Sequence, residues 1–143
     1  MTTTLSAPLR ALHTSVVLVW LGTALASALD DAGWMGLNRV GANLLADAGI
    51  TSPLWQTLLI WSGLLADLLL GLWMWMRPSR PAYLAALLLM AAMTVVGTVL
   101  QPALWLHPLG PLLKNLPIAA GLWVLCAAHA PTPNAPAGAP ASL

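Results

Sequence analysis

Charge is what this sequence has least of. Five Lys and Arg and four Asp and Glu make up 6% of its 143 residues, against about a quarter in an ordinary soluble domain. Nine such side chains cannot cover a water-facing surface, so most of the surface must face lipid. The net charge of +1 is small, and no basic run or aromatic RNA motif is present, which argues against a nucleic-acid partner. There is one cysteine, Cys126. That excludes an intrachain disulfide and a Cys-x-x-Cys thiol relay. Only three histidines occur, His13, His107 and His129. They lie far apart, whereas metal sites want clustered ligands, so no metal site is expected. Phenylalanine is absent altogether.

What is present is apolar and long. Hydrophobic residues make up 59% of the chain, and a helix needs about 20 of them in a row to cross a bilayer core of about 30 Å. Four runs qualify: about 11–29, 54–76, 82–100 and 109–128. Pro53 opens the second, as a first-turn proline can. Arg77-Pro78-Ser79-Arg80-Pro81 breaks the chain before the third, and Pro102 and Pro108 break it before the fourth. Trp55, Trp73, Trp75 and Trp105 sit near span ends, where indole rings favour the interface. The fold expected is therefore all-α, an integral membrane four-helix bundle, with one transmembrane domain over residues 1–130. The first run has a rival reading: Arg10, a short apolar stretch and Ala24-Leu25-Ala26 or Ala26-Ser27-Ala28 also resemble a cleavable signal peptide.

Between the first and second runs, Trp34, Leu37, Val40, Leu44 and Leu45 recur at helical spacing. They predict a short interfacial helix in the first loop. Residues 131–143, rich in Pro, Ala and Gly, predict a disordered tail. Basic residues in short loops set orientation. Arg10, Arg77 and Arg80 fall on one side and Arg39 and Lys114 on the other. This bias places both termini in the cytoplasm, with the lipid bilayer as the principal surrounding.

Asp67 is the most informative residue. It lies mid-span, where a charge costs at least about 2.5 kcal/mol on insertion scales. Such a group should face the bundle interior. Gly63 and Gly71 flank it at four-residue spacing, on a face where another backbone can come close. Asp67 is then either a proton carrier or ligand-orienting carboxylate, or a neutral acid bonded to a neighbouring helix. Thr94, Thr98 and Gln101 form a polar stripe on the third span, with Thr94 expected near the depth of Asp67. Trp20, Thr23 and Ser27 share a face of the first span. These hydroxyls suit either a site or plain interhelical packing. A second constellation surrounds the start of the fourth span. His107, Lys114 and Asn115 there suit an anionic or carbonyl-bearing head group, with Pro108 and Pro111 shaping the turn. The alternative is an interfacial anchor and a helix-breaking turn.

In these stretches the chain resembles the DoxX-like family of small bacterial membrane proteins. The likeness covers roughly Leu9 to Ala128. It rests on LRALHTSVVLVWLGTAL, NLLADAGI, SGLLADLLLGL and QPALWLHPLGPLLKNLP. Family members often carry a glutamate where Asp67 stands. Many also carry a lysine after the glycine of the first span, and none follows Gly22 here. The resemblance implies four membrane helices, a location in the bacterial inner membrane and an association with redox systems. Among the relatives are a small subunit of a thiosulfate:quinone oxidoreductase and a component of a membrane oxidoreductase complex. Three functions are carried forward: an auxiliary or quinone-proximal redox component with a membrane oxidoreductase partner, a non-catalytic scaffold, and a metabolite or lipid carrier acting as a homo-oligomer. Quinone is the cofactor the first would imply.

Overall fold

The structure is a computed structural model that describes residues 6–32, 39–106 and 112–130. Trp34, Leu37, His107, Pro108, Pro111 and the 131–143 tail lie outside them. The described residues form five α-helices: α1 (Ala7–Asp31), α2 (Val40–Asp47), α3 (Pro53–Met76), α4 (Arg80–Leu100) and α5 (Asn115–Ala128), with a 3-10 turn at Pro102–Trp105 between the last two. No strand occurs among them. Proline opens α1, α3, α4 and the 3-10 turn at the first or second position, where its missing N–H leaves no bond unmade.

Helices α1, α3 and α4 are long and apolar enough to cross a membrane; α5 is apolar but shorter, at 14 residues. The expected fourth span began near Leu109, but the helix begins at Asn115, after a turn at 112–114. Pro117 explains the difference. In a helix starting at Leu109 it would fall in the interior and break an i→i−4 bond. Starting at Asn115, it falls in the first turn, where no such bond exists. At about 1.5 Å per residue α5 covers about 21 Å. The expected interfacial helix is likewise shorter among the described residues, being α2 alone.

Two helix pairs build the bundle. α1 packs most extensively on α3, and α4 on α5, while α3 and α4 touch sparingly despite the short link between them. At Gly71 the α1–α3 approach is close: a Cβ there would lie 2.7 Å from Leu21 Cδ2 and 3.3 Å from the Leu21 backbone nitrogen. Small residues allow such approaches in lipid, where dispersion contacts drive helix association.

The packed core sits at one end. Val16, Val17 and Trp20 of α1, Met74 of α3, Ala82, Tyr83 and Ala86 of α4, and Leu122, Leu125 and Cys126 of α5 form one buried cluster. Tyr83 is fully buried. Its hydroxyl lies 2.8 Å from His13 Nδ1, a hydrogen bond that ties α1 to α4. The His129 ring rests tilted against it, 5.1 Å between centroids, held by a 2.8 Å bond from Nδ1 to the Leu125 carbonyl.

Candidate functional site: a half-open intramembrane cavity

Beyond that packed end the bundle is hollow. A cavity of about 670 Å³ is bounded by α1 from Thr23 to Asp30, α3 from Leu59 to Asp67 and α4 from Leu89 to Leu100, with α2 and the 3-10 turn closing its far end. Its volume lies within the usual range of small-molecule sites, about 300–1,000 Å³. The lining is mostly apolar, set with Thr23, Ser27, Ser62, Asp67 and Gln101. Thr23 and Ser62 donate their hydroxyl hydrogens to backbone carbonyls of their own helices, at 2.8 and 2.9 Å. Ser27, Asp67 and Gln101 make no side-chain hydrogen bond with any described residue.

Asp67 stands at the floor of this cavity. The packed cluster takes Met74 from α3 and Trp20 from α1, and the cavity begins one to two turns further on, with Thr23, Asp67 and Leu89. Counting about 1.5 Å per residue back from Met76, the carboxyl lies about 13 Å from the arginine-bearing link. Asp67 is partly buried, and no Lys, Arg or His lines the cavity among the described residues. A carboxyl at this depth with no partner among the described residues is costly unless it is neutral or meets another group.

The remaining sequence candidates separate into other places. Thr94 does not face Asp67. Asp67 lies nine residues before Met76 and Thr94 fourteen after Arg80, a depth difference of about 7 Å. Thr94 instead accepts a 2.7 Å hydrogen bond from Asn115 Nδ2 and donates to the Met90 carbonyl at 2.7 Å. One turn on, Thr98 accepts from Trp105 Nε1 at 3.0 Å. Thr94, Thr98, Trp105 and Asn115 thus tie α4 to the 3-10 turn and to α5, outside the cavity lining. Lys114 is exposed at the start of α5. Trp20 lies in the packed core at 5% exposure, and its Nε1 is buried with no hydrogen-bond partner among the described residues. Gly63 borders the cavity, where a Cβ would meet only Met93 Cε at 3.8 Å. Gly71 belongs to the α1–α3 contact instead.

Asp30 is the residue that sequence reasoning passed over. Its two carboxylate oxygens accept hydrogen bonds from the consecutive backbone amides of Val40 and Gly41, each at 2.9 Å. Those amides are the orphan donors of the α2 N-terminus, and the helix dipole adds to the attraction. A Cβ at Gly41 would lie 3.6 Å from Asp30 Oδ2, an ordinary contact, so the carboxylate has room beside the helix. Asp30 therefore holds α2 across the end of the cavity. The only sequence signal was an acid opposite a short helix, at a separation no local rule covers.

An all-α bundle with three membrane-length apolar helices and a mid-membrane carboxyl in a hollow interior is an integral membrane protein. Its sequence meets the model of the DoxX-like family over residues 17–123, and the chain belongs to that family. No curated protein and no solved structure matches it significantly.

Proposed function

We propose that this chain is an auxiliary, quinone-proximal component of a membrane redox system, seated in the bacterial inner membrane with both termini in the cytoplasm. One observation carries this reading: a cavity of about 670 Å³ inside the bundle opens on Asp67, whose carboxyl has no hydrogen-bond partner among the described residues. A scaffold has no use for such a cavity, and filling it with side chains would be more stable. α5 serves as the fourth span. Arg10, Arg77 and Arg80 keep their shared end on the basic, cytoplasmic side.

The lining suits a quinone. The apolar walls accommodate a ring and the start of an isoprenoid tail. Asp67 and Ser27 offer hydrogen bonds to a carbonyl or hydroxyl, and Gln101 offers another near the far end. When bound, a quinone supplies two-electron, two-proton chemistry. The chain's own part is to position the head group, keep water out through its apolar lining and hold a proton at the Asp67 carboxyl. Thr94, Asn115 and Trp105 brace the helices around the site rather than touch the ligand. Lys114 meets lipid head groups at the outer interface.

The test is Asp67→Asn in the native membrane. The account predicts unchanged folding with loss of most quinone-linked activity of the associated oxidoreductase. Full activity and full complementation by a well-folded variant would remove the chemical role. Co-purification with a redox partner but no quinone would favour the scaffold. An oligomer that moves a metabolite or lipid across vesicles would favour the carrier.

A further inference from the structure

The walls of the cavity say how a ligand reaches it. Leu59 and Ser62 of α3 and Met93 and Val96 of α4 line the cavity and are exposed rather than covered by neighbouring helices. Among the contacting pairs of α1, α3, α4 and α5, α3 and α4 touch least, so the space between them opens sideways, toward the acyl chains. The far end is closed by α2, which Asp30 holds in place. The charge of the lining says what can stay. Two carboxyl groups, Asp30 and Asp67, border the cavity, and no described basic residue does. An anionic head group would leave water with no counter-charge to meet it. A cationic one would have to cross hydrocarbon to reach the gap, which disfavours it. An uncharged hydroxyl or carbonyl bears neither cost and can bond Asp67 and Ser27.

We infer that the cavity takes an uncharged, hydroxyl- or carbonyl-bearing amphiphile directly from the bilayer through the α3–α4 gap, head group to Asp67 and tail left between the helices, and that it turns away anionic lipids. The inference rests on the preceding reading of the cavity as a ligand site. It does not depend on the ligand being redox-active.

Three probes sharing one diazirine-bearing alkyl chain and ending in an alcohol, a carboxylate or an ammonium group test it. The full-length protein is reconstituted in zwitterionic nanodiscs, irradiated with each probe, and its adducts are mapped by peptide mass spectrometry. The alcohol should label residues 59–67 and 89–100, exceeding each charged probe by more than about tenfold. Asp67→Leu should remove most of that labelling. Val96→Trp and Ser62→Trp, at exposed positions on the rim, should each block entry while melting like the wild type. If one of the two fails to fold, the other decides. Equal labelling by all three probes, stronger labelling by the ammonium or carboxylate chain, or alcohol labelling indifferent to Asp67→Leu and to the rim tryptophans would overturn the inference. The alcohol carries no redox chemistry, so the two readings fail separately. Labelling without any quinone-linked activity would end the redox reading alone. Quinone-linked activity that depends on Asp67 but comes with no alcohol labelling would end this one alone.

Discussion

Gly63 and Gly71 look equivalent along α3, one before Asp67 and one after it at the same spacing, yet they should respond oppositely to a single added methyl. At Gly71 a Cβ would lie 2.7 Å from Leu21 Cδ2, 2.9 Å from Leu21 Cγ and 3.3 Å from the Leu21 nitrogen. The leucine side chain can rotate away, but the backbone nitrogen cannot move without shifting α1. Forcing a methyl into such a contact costs about 1–3 kcal/mol. That lowers the folded-to-unfolded ratio by about fivefold to more than a hundredfold. At Gly63 the Cβ meets only Met93 Cε at 3.8 Å, an ordinary contact at a cavity edge. Alanine there should be neutral or stabilising by up to about 1 kcal/mol, through lower backbone freedom in the unfolded chain. Steric-trap unfolding in bicelles measures both variants on one scale. Equal costs for Gly63→Ala and Gly71→Ala, or a larger cost at Gly63, would refute both the close α1–α3 approach and the hollow beside Asp67.

Three further perturbations test separate parts of the fold. Asp30→Ala removes both bonds to the α2 amides and should cost about 0.5–2 kcal/mol, seen as faster hydrogen exchange at Val40 and Gly41; unchanged exchange there would mean that α2 is held by its apolar contacts alone. A double-mutant cycle of Thr94→Val and Asn115→Ala should return a coupling near 0.6 kcal/mol and below about 1.7 kcal/mol, the span found for interhelical hydrogen bonds in membranes. No coupling would place Asn115 elsewhere. Tyr83→Phe keeps the buried ring but loses the bond to His13, at a cost of about 1 kcal/mol, and should shift the His13 ring resonances while leaving those of Lys114 alone.

How much of this was legible in the sequence depends on the range of the signal. α3 and α4 could be bounded within a residue or two, because Pro53 and the Arg77–Pro81 break act locally on the backbone. α1 runs a turn beyond its expected start, since Pro8 is a good first-turn residue and Arg10 can reach water from inside the helix. The start of α5 was misplaced although Pro117 carried the signal. The apolar run hid it, because hydropathy does not register a missing N–H. Asp67 was readable as interior-facing from its charge alone. Its neighbours were not, because they depend on which helices pair. Counting depth along one hairpin set Thr94 beside it, whereas α4 turns that hydroxyl toward Asn115 of α5. Trp20 shares a face with Thr23 and Ser27, but the packed core ends between them, and only the threonine and serine reach the cavity. The Asp30–α2 bonds join residues 10 and 11 positions apart and follow from tertiary placement alone.

The central claim is that Asp67 lies at the floor of a ligand-holding space inside the membrane. Native mass spectrometry of the protein extracted from its own membrane, beside an Asp67→Leu variant prepared identically, tests it most directly. The account predicts an uncharged amphiphile retained by the wild type and lost from the variant, with no difference in subunit count. Identical spectra for the two proteins, or a bound anionic lipid that both retain, would contradict it.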